Sequence, residues 1–148
     1  MSIMIRRMEK NDRTVWATMR LQLWDRHAHD AHLSNIDKML SSKQNAGYIA
    51  MLNHQTVGFA EICLREYTNG CTKQPVPFLE GIWVKPAYRQ QGIGQALINK
   101  ITTDLIAKGF EELCSDAEID NKLSHEAHQN WGFDETERVI CFRKELIR

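Results

Sequence analysis

Hydrophobic residues recur along this chain with two periods, and together they predict ten elements. Met4-Ile5-Arg6-Arg7-Met8 reads as a short first strand. Asn11 or Asp12 can cap a helix whose apolar face is Val15, Trp16, Met19 and Leu23 and which ends near Trp24-Asp25. Leu33, Ile36, Met39 and Leu40 mark a second amphipathic helix. Tyr48–Leu52 and Thr56–Tyr67 are strands joined by the turn Asn53-His54-Gln55, a hairpin. A loop over 68–77, with Asn69-Gly70 and two prolines, leads into a mostly apolar strand, Phe78–Val84, which Pro86 stops. Ile93, Ala96, Leu97, Ile101, Leu105 and Ile106 then recur at helical spacing, and Gly109 fits the C-cap of that helix. Phe110–Ser115 is another strand, Asp120 or Asn121 opens a helix that closes at Gly132, and Val139–Phe142 is the final strand. The order is β-α-α-β-β-β-α-β-α-β: an α+β fold with a mixed, mostly antiparallel sheet flanked by about four helices.

Between the apolar strand and the third helix lies Arg89-Gln90-Gln91-Gly92-Ile93-Gly94. Glycines there permit close backbone approach and unusual angles. The helix N-terminus behind them offers unpaired N–H groups and the positive end of the dipole, and Arg89 adds a fork of donors suited to phosphate. The construction suits a pyrophosphate. It is not a P-loop, because Gln95 follows Gly94 where Lys-Ser/Thr is needed. Nor is it a Rossmann fingerprint, whose third small residue would fall at Leu97.

At 148 residues the chain suits one domain with a real core, residues 1–148 throughout. Nineteen basic and nineteen acidic residues cancel, so nothing global invites nucleic acid or a membrane. The balance hides an asymmetry: between Glu111 and Glu137 there are nine acids and one base, Lys122. Such a stretch suggests either a cationic ligand or a solvated acidic face. Cys63, Cys71, Cys114 and Cys141 form no C-x-x-C pair, and without a leader or long apolar run they read as reduced thiols in the cytoplasm. His27, His29 and His32 lie at intervals that do not share one helical face, and His125-Glu-Ala-His128 is one residue short of a zincin motif, so no metal is expected.

Arg89-x-x-Gly92-x-Gly94, placed after the fourth strand, resembles the coenzyme A loop of the GCN5-related N-acetyltransferases (GNAT). Asn121-x-x-Ser124-x-x-Ala127-His128-x-x-x-Gly132-Phe133 resembles the late helix of the same superfamily. Four further blocks are similar to its aminoglycoside 6'-N-acetyltransferases: Glu66-Tyr67-x-Asn69-Gly70; Pro75-Val76-x-Phe78-Leu79-Glu80-Gly81-Ile82; Ser115-Asp116-Ala117-x-x-Asp120-Asn121-x-x-Ser124-His125; and Gly132-Phe133-x-Glu135-Thr136-Glu137. The likeness runs from Trp24 almost to the C-terminus.

The resemblance implies a GNAT fold and acetyl transfer from acetyl-CoA to the 6'-amine of an aminoglycoside, conferring resistance. Acetyl transfer to an amine needs a base, because the amine is mostly protonated at neutral pH. Glu80, on the strand before the loop, is the first candidate, and Asp116 is the second. His128 stands where the superfamily often has the tyrosine that protonates the leaving thiolate; its imidazole can serve as the acid. Ile82, Trp83 and Val84 are expected to face the cofactor where the family's strand splays, a backbone N–H near Trp83 or Val84 meeting the thioester oxygen. Arg89, Gln91, Gly92, Gly94 and Gln95 are expected at the pyrophosphate and Asn121 at the pantetheine arm. Trp24, His27, Tyr67, Glu80, Asp116 and Glu137 are expected to line the aminoglycoside pocket, and a homodimer is expected. The alternatives are a GNAT enzyme for another amine, such as a polyamine or a protein N-terminus, and a non-catalytic acetyl-CoA sensor.

Overall fold

The computed structural model describes residues 2–147. Its contacts gather into two compact units, one through Asp116 and one from Ala117 onward.

The first unit is built on a four-stranded sheet in sequential order: β1 (Ile3–Arg7), β2 (Asn45–Leu52), β3 (Gln55–Arg65) and β4 (Val76–Val84). Every pairing is antiparallel. Two residues with positive φ, Asn53 and His54, close the β2–β3 hairpin, giving the tight turn that suits right-twisted strands. Between β1 and β2 come α1 (Arg13–Leu23) and α2 (His29–Ser41); α3 (Ile93–Ala107) follows β4.

Helices cover both faces of the sheet. Ile49 and Phe59 pack with Trp16, Ala17 and Met19 of α1 and Ile36 of α2. Tyr48, the neighbour of Ile49, points the other way and donates to Asp104 of α3 at 2.9 Å. With both faces buried, β2 reads as the unbroken run Tyr48-Ile-Ala-Met-Leu rather than as an alternation. Ile93, Leu97, Ile98, Ile101 and Leu105 form the buried stripe of α3; of the stripe expected from sequence, Ala96 is only half-buried and Ile106 is exposed, while Ile98 takes a place beside Leu97. Asp12 occupies the N-cap position of α1, yet its carboxylate turns back to the Glu9 N–H (2.7 Å) and the Arg6 fork (2.8 Å to each oxygen).

Two expected strands take another form. Of Phe110–Ser115 only Cys114 pairs, in a parallel bridge to Phe78. Upstream of the bridge the register sets residues 110–113 against 74–77, where Pro75 and Pro77 have no N–H to donate; downstream, Glu61 faces Gly81 while Ile62 faces Leu79, so Glu80 is an extra, bulged residue. A bulge bends its strand, and the new ladder stops there. Val139–Phe142 forms no ladder among the described residues, and Val139, Ile140 and Phe142 are all exposed. A strand without an adjoining edge has nothing to pair with.

The second unit contains α4 (Lys122–Asn130). Of the two possible caps, Asn121 is the one used, accepting from the Ser124 N–H at 3.1 Å. No helix among the described residues is long and apolar enough to cross a membrane.

Candidate active site

The bulge in β4 organises the chemistry of the first unit. Up to Leu79 the outer edge of β4 is occupied: the Leu79 N–H donates to Cys114 O at 2.8 Å, and the Cys114 N–H donates to Pro77 O at 3.0 Å. Beyond Glu80 nothing pairs with that edge among the described residues. The Lys85 N–H donates inward to Val57 O of β3 at 2.8 Å. Alternation then turns Trp83 toward β3 as well, and directs the N–H groups of Ile82 and Val84 outward. The Val84 carbonyl agrees, since it accepts from Arg89 Nε at 2.8 Å rather than from β3. Of the three residues expected at the cofactor, Ile82 and Val84 therefore present backbone donors on the open edge and Trp83 does not.

The same contact holds Arg89 by Nε and leaves the two terminal nitrogens of its guanidinium to project from the loop. Gln90 and Gly92 adopt left-handed angles, φ 61 and 85°. At Gly92 nothing lies within 4 Å of where a Cβ would stand, so glycine is there for its backbone angle. Gly92 is the N-cap of α3 and no side chain caps that helix. The first-turn N–H groups of Ile93, Gly94 and Gln95 have no acceptor in the chain among the described residues. These donors, the dipole and the Arg89 fork fit a pyrophosphate. The side chains of Gln91 and Gln95 turn elsewhere, to Ala87 O (3.4 Å) and Asn99 (2.8 Å), leaving their main chains to the loop.

Glu80 does not stand alone. Arg65 grips it with Nε on Oε1 (3.0 Å) and Nη2 on Oε2 (2.9 Å), and the Cys63 thiol donates to Oε1 at 2.7 Å. The guanidinium of Arg65 is itself laid over the Phe78 ring, 3.6 Å from its centroid. Burial, then the bond to Glu80, pushes the Cys63 thiol up to about 11, so it stays protonated as a donor. Neither Arg65 nor the thiol of Cys63 carries a sequence signal of this role; they reach Glu80 through the β3–β4 register, which no local pattern reveals.

Of the residues expected at the aminoglycoside, Trp24 leans onto this bulge. A Cβ added to Gly81 would lie 2.4 Å from its ring, and Phe59 meets the ring edge-on at 6.1 Å. His27 is exposed and stacks edge-on with His32 at 5.9 Å. Tyr67, 58% exposed, lies two residues beyond β3, and Asp116 is an exposed residue two beyond the Cys114 bridge. Neither makes a hydrogen bond or ion pair among the described residues. A largely apolar cleft of about 520 Å³ runs beside the loop, lined by Met19 and Gln22 of α1, Trp83, Lys85, Pro86 and Tyr88.

The remaining candidates belong to the second unit. Asn121 spends its carbonyl oxygen on the α4 cap. His128 Nδ1 lies 2.7 Å from Ser124 O, and a carbonyl only accepts, so Nδ1 carries the proton of the neutral ring and Nε2 the lone pair. Trp131 and Phe133 hold that ring at 5.4 and 5.1 Å. Glu137 is exposed.

A strand bulged at a carboxylate, an open row of backbone donors and an uncapped glycine-led helix suit an acyl-transfer site served by a nucleotide-like cofactor. The family comparison agrees: a model of the acetyltransferase (GNAT) family matches residues 8–133, and the chain belongs to that family. Among its relatives is the aminoglycoside N(6')-acetyltransferase type 1 of Salmonella enteritidis, 43% identical over 95% of this chain and 97% of that protein. The enzyme of the same name from Stenotrophomonas maltophilia is 38% identical over 96% and 93%. Solved structures include AAC(6')-Iy in complex with the bisubstrate analog CoA-S-monomethyl-acetylneamine, 41% identical with a TM-score of 0.93, covering 99% of this chain and all of that one. AAC(6')-Ih from Acinetobacter baumannii follows at 33% and 0.91, covering 98% and 99%.

Proposed function

We propose that this chain transfers the acetyl group of acetyl-CoA to the 6'-amine of aminoglycoside antibiotics and so confers resistance to them. The observation that carries the reading is the bulge at Glu80, which places a carboxylate at the point where the β4 edge opens toward the phosphate-binding loop. The names and ligands of relatives that match nearly the whole chain supply the substrate class.

The thioester of acetyl-CoA supplies the acetyl group. Its pyrophosphate is held by main-chain N–H groups from Gln91 to Gln95 and by Arg89, and Asn121 contacts the pantetheine arm. Outward N–H groups of Ile82 and Val84 meet the thioester oxygen, where negative charge grows as the amine attacks. Glu80 takes the amine's proton, directly or through water. With Arg65 and Cys63 on its oxygens it still has lone pairs to accept that proton. Asp116 is the second base, and His128, once it has taken up a second proton on Nε2, gives that proton to the departing thiolate and is left as the neutral Nδ1–H ring. A polycation with many hydroxyls wants carboxylates and an aromatic wall: Glu80, Asp116 and Glu137 give the first, Trp24, Tyr67 and His27 the second. The whole chain acts as one catalytic domain in the cytoplasm. It works as a homodimer, the partner covering the exposed apolar residues Val139, Ile140, Phe142, Leu146 and Ile147.

The test is thiol release from acetyl-CoA with kanamycin, tobramycin, spermidine or a peptide amine as acceptor. Rapid release with the first two, giving product acetylated at the 6'-amine, is expected. Release with spermidine or peptide alone retains the fold and cofactor and refutes the aminoglycoside reading.

A further inference from the structure

A buried line of polar groups runs beneath Trp24, and no step of acetyl transfer uses it. Glu61 of β3 is 3% exposed, Arg20 of α1 8% and His32 of α2 0%. Trp16 Nε1 donates to Glu61 Oε2 at 2.8 Å and Arg20 Nη1 to Oε1 at 3.1 Å. Arg20 Nε then faces His32 Nδ1 at 3.1 Å, and His32 Nε2 faces the Trp24 carbonyl at 3.0 Å.

The direction of each bond follows from chemistry. A guanidinium has donors only, so His32 Nδ1 accepts from Arg20; the ring proton sits on Nε2 and is donated to Trp24 O. Protonating Nδ1 would set donor against donor and break the line. The charged or titratable groups around His32 are Arg20 from α1, Glu61 from β3 behind Arg20, His29 at the start of α2 and His27 in the segment before it. Burial first, then the charges of Arg20, His27 and His29, hold its pKa below the usual histidine value, against the opposing pull of the Trp24 carbonyl.

Stability is a weak reason for such a line, because a buried ion pair often gives way to apolar residues at no loss. Geometry is a better one. Trp24 is the C-cap of α1: its N–H still donates to Arg20 O at 2.7 Å, but its own backbone angles have left the helix. The line holds its carbonyl through His32, and the Arg20 guanidinium lies 4.9 Å from the ring centroid. The opposite edge of the ring rests where Gly81 carries no side chain, next to Glu80.

We propose that Arg20 and His32 are positioning residues for the aminoglycoside: without touching it, they hold Trp24 against the β4 bulge and so set the affinity of the sugar wall. This rests on the reading of Trp24 as part of that wall. The line also gives His32 a purpose that its place in a histidine-rich segment does not suggest.

The experiment uses the full chain with His32→Leu, His32→Gln and the double variant Arg20→Met/Glu61→Leu, which removes both charges together and strands neither. KM is measured separately for kanamycin and acetyl-CoA, and the emission of Trp24 is taken as the difference from the matching Trp24→Phe protein. His32→Leu and the double variant should raise KM for kanamycin by about tenfold, leave KM for acetyl-CoA within about twofold, and red-shift the Trp24 emission. His32→Gln, which keeps an N–H for the Trp24 carbonyl, should recover most of the affinity. It should also remove the part of the wild-type rise in KM at acid pH that comes from protonating His32. Equal changes in both KM values, or none, with Trp24 emission unmoved, would overturn the proposal. If the wild type does not acetylate kanamycin, the aminoglycoside reading fails instead, and the emission shift alone decides whether Arg20 and His32 hold Trp24.

Discussion

Gly81→Ala tests the packing of the site at one atom. The backbone of Gly81 is not in the left-handed region, so alanine meets no conformational objection there. The obstacle is Trp24. A Cβ would lie 2.4 Å from Cζ2, 2.7 Å from Cη2 and 2.9 Å from Leu23 Cδ2. Carbon atoms settle at about 3.5 Å or more, so the indole has to retreat by roughly 1 Å. It has little freedom to do so, with Phe59 at its edge, Arg20 on its face and its carbonyl tied to His32.

Overpacking of this kind costs about 1–3 kcal/mol. For a chain of this size that lowers Tm by roughly 3–12 °C. A wall displaced by an ångström also grips the sugar less well: KM for kanamycin should rise about tenfold, equivalent to about 1.4 kcal/mol. KM for acetyl-CoA should stay within about twofold. A double-mutant cycle isolates the cause, since in a Trp24→Ala background the methyl group has nothing to strike and its effect should fall below about 0.5 kcal/mol. Wild-type Tm and KM in the single variant, or an undiminished effect in the double variant, would refute the packing argument.

Glu80→Gln keeps the shape of the base and removes its charge; kcat should fall by about 10²–10⁴ while acetyl-CoA still binds in calorimetry, and unchanged turnover would dismiss Glu80 as the base. Gly92→Ala forces a side chain into φ 85°, at a cost of about 1–2 kcal/mol, and should raise KM for acetyl-CoA but not for kanamycin. Asp12→Asn removes a carboxylate that accepts from Arg6 and Glu9; with Arg6 41% exposed the expected loss is about 1–2 kcal/mol by urea titration. The bond to Arg6 holds the Asp12 carboxyl below its usual range, so this stability is complete above about pH 3.9 and lost as the pH falls through the folded value; Asp12→Asn should flatten that part of the acid profile. His32 has a depressed pKa too, so its neutral form supports the fold above about pH 6.5 and that support fades on acidification, a slope His32→Gln should remove.

What the sequence made legible was local. The loop at Arg89–Gly94 and the periodic stripe of α3 are neighbours in the chain, and each carries its own signal: glycine where φ is positive, apolar residues where a helix faces the sheet. The buried line beneath Trp24 carries none. Glu61 is a single acid inside the apolar run Phe59-Ala60-Glu61-Ile62, and its meaning depends on Arg20, forty-one positions earlier. His32 looked like one more polar residue at a helix junction because its partners come from α1 and from the chain turning away after it. Arg65 is fifteen residues from Glu80 and meets it only because the hairpin closes in this register.

The single bridge at Cys114 is the instructive departure, because the residue that keeps pairing from running on past it also carries the proposed chemistry. The sequence predicts a strand over Phe110–Ser115, and of it only the Phe78–Cys114 bridge forms. Had the parallel pairing run on past the bulge, the N–H groups of Ile82 and Val84 would be spent on carbonyls of the chain beyond Ser115 and could meet no thioester. One extra residue at Glu80 turns the strand, so the edge is lost to the sheet at the point where a carboxylate enters. Deleting the bulge therefore predicts a more regular sheet and a poorer enzyme. A variant lacking Glu80 altogether should lose acetyl-CoA affinity as well as turnover, whereas Glu80→Gln loses turnover alone. Equal acetyl-CoA affinity in the two would show that the open edge does not hold the cofactor.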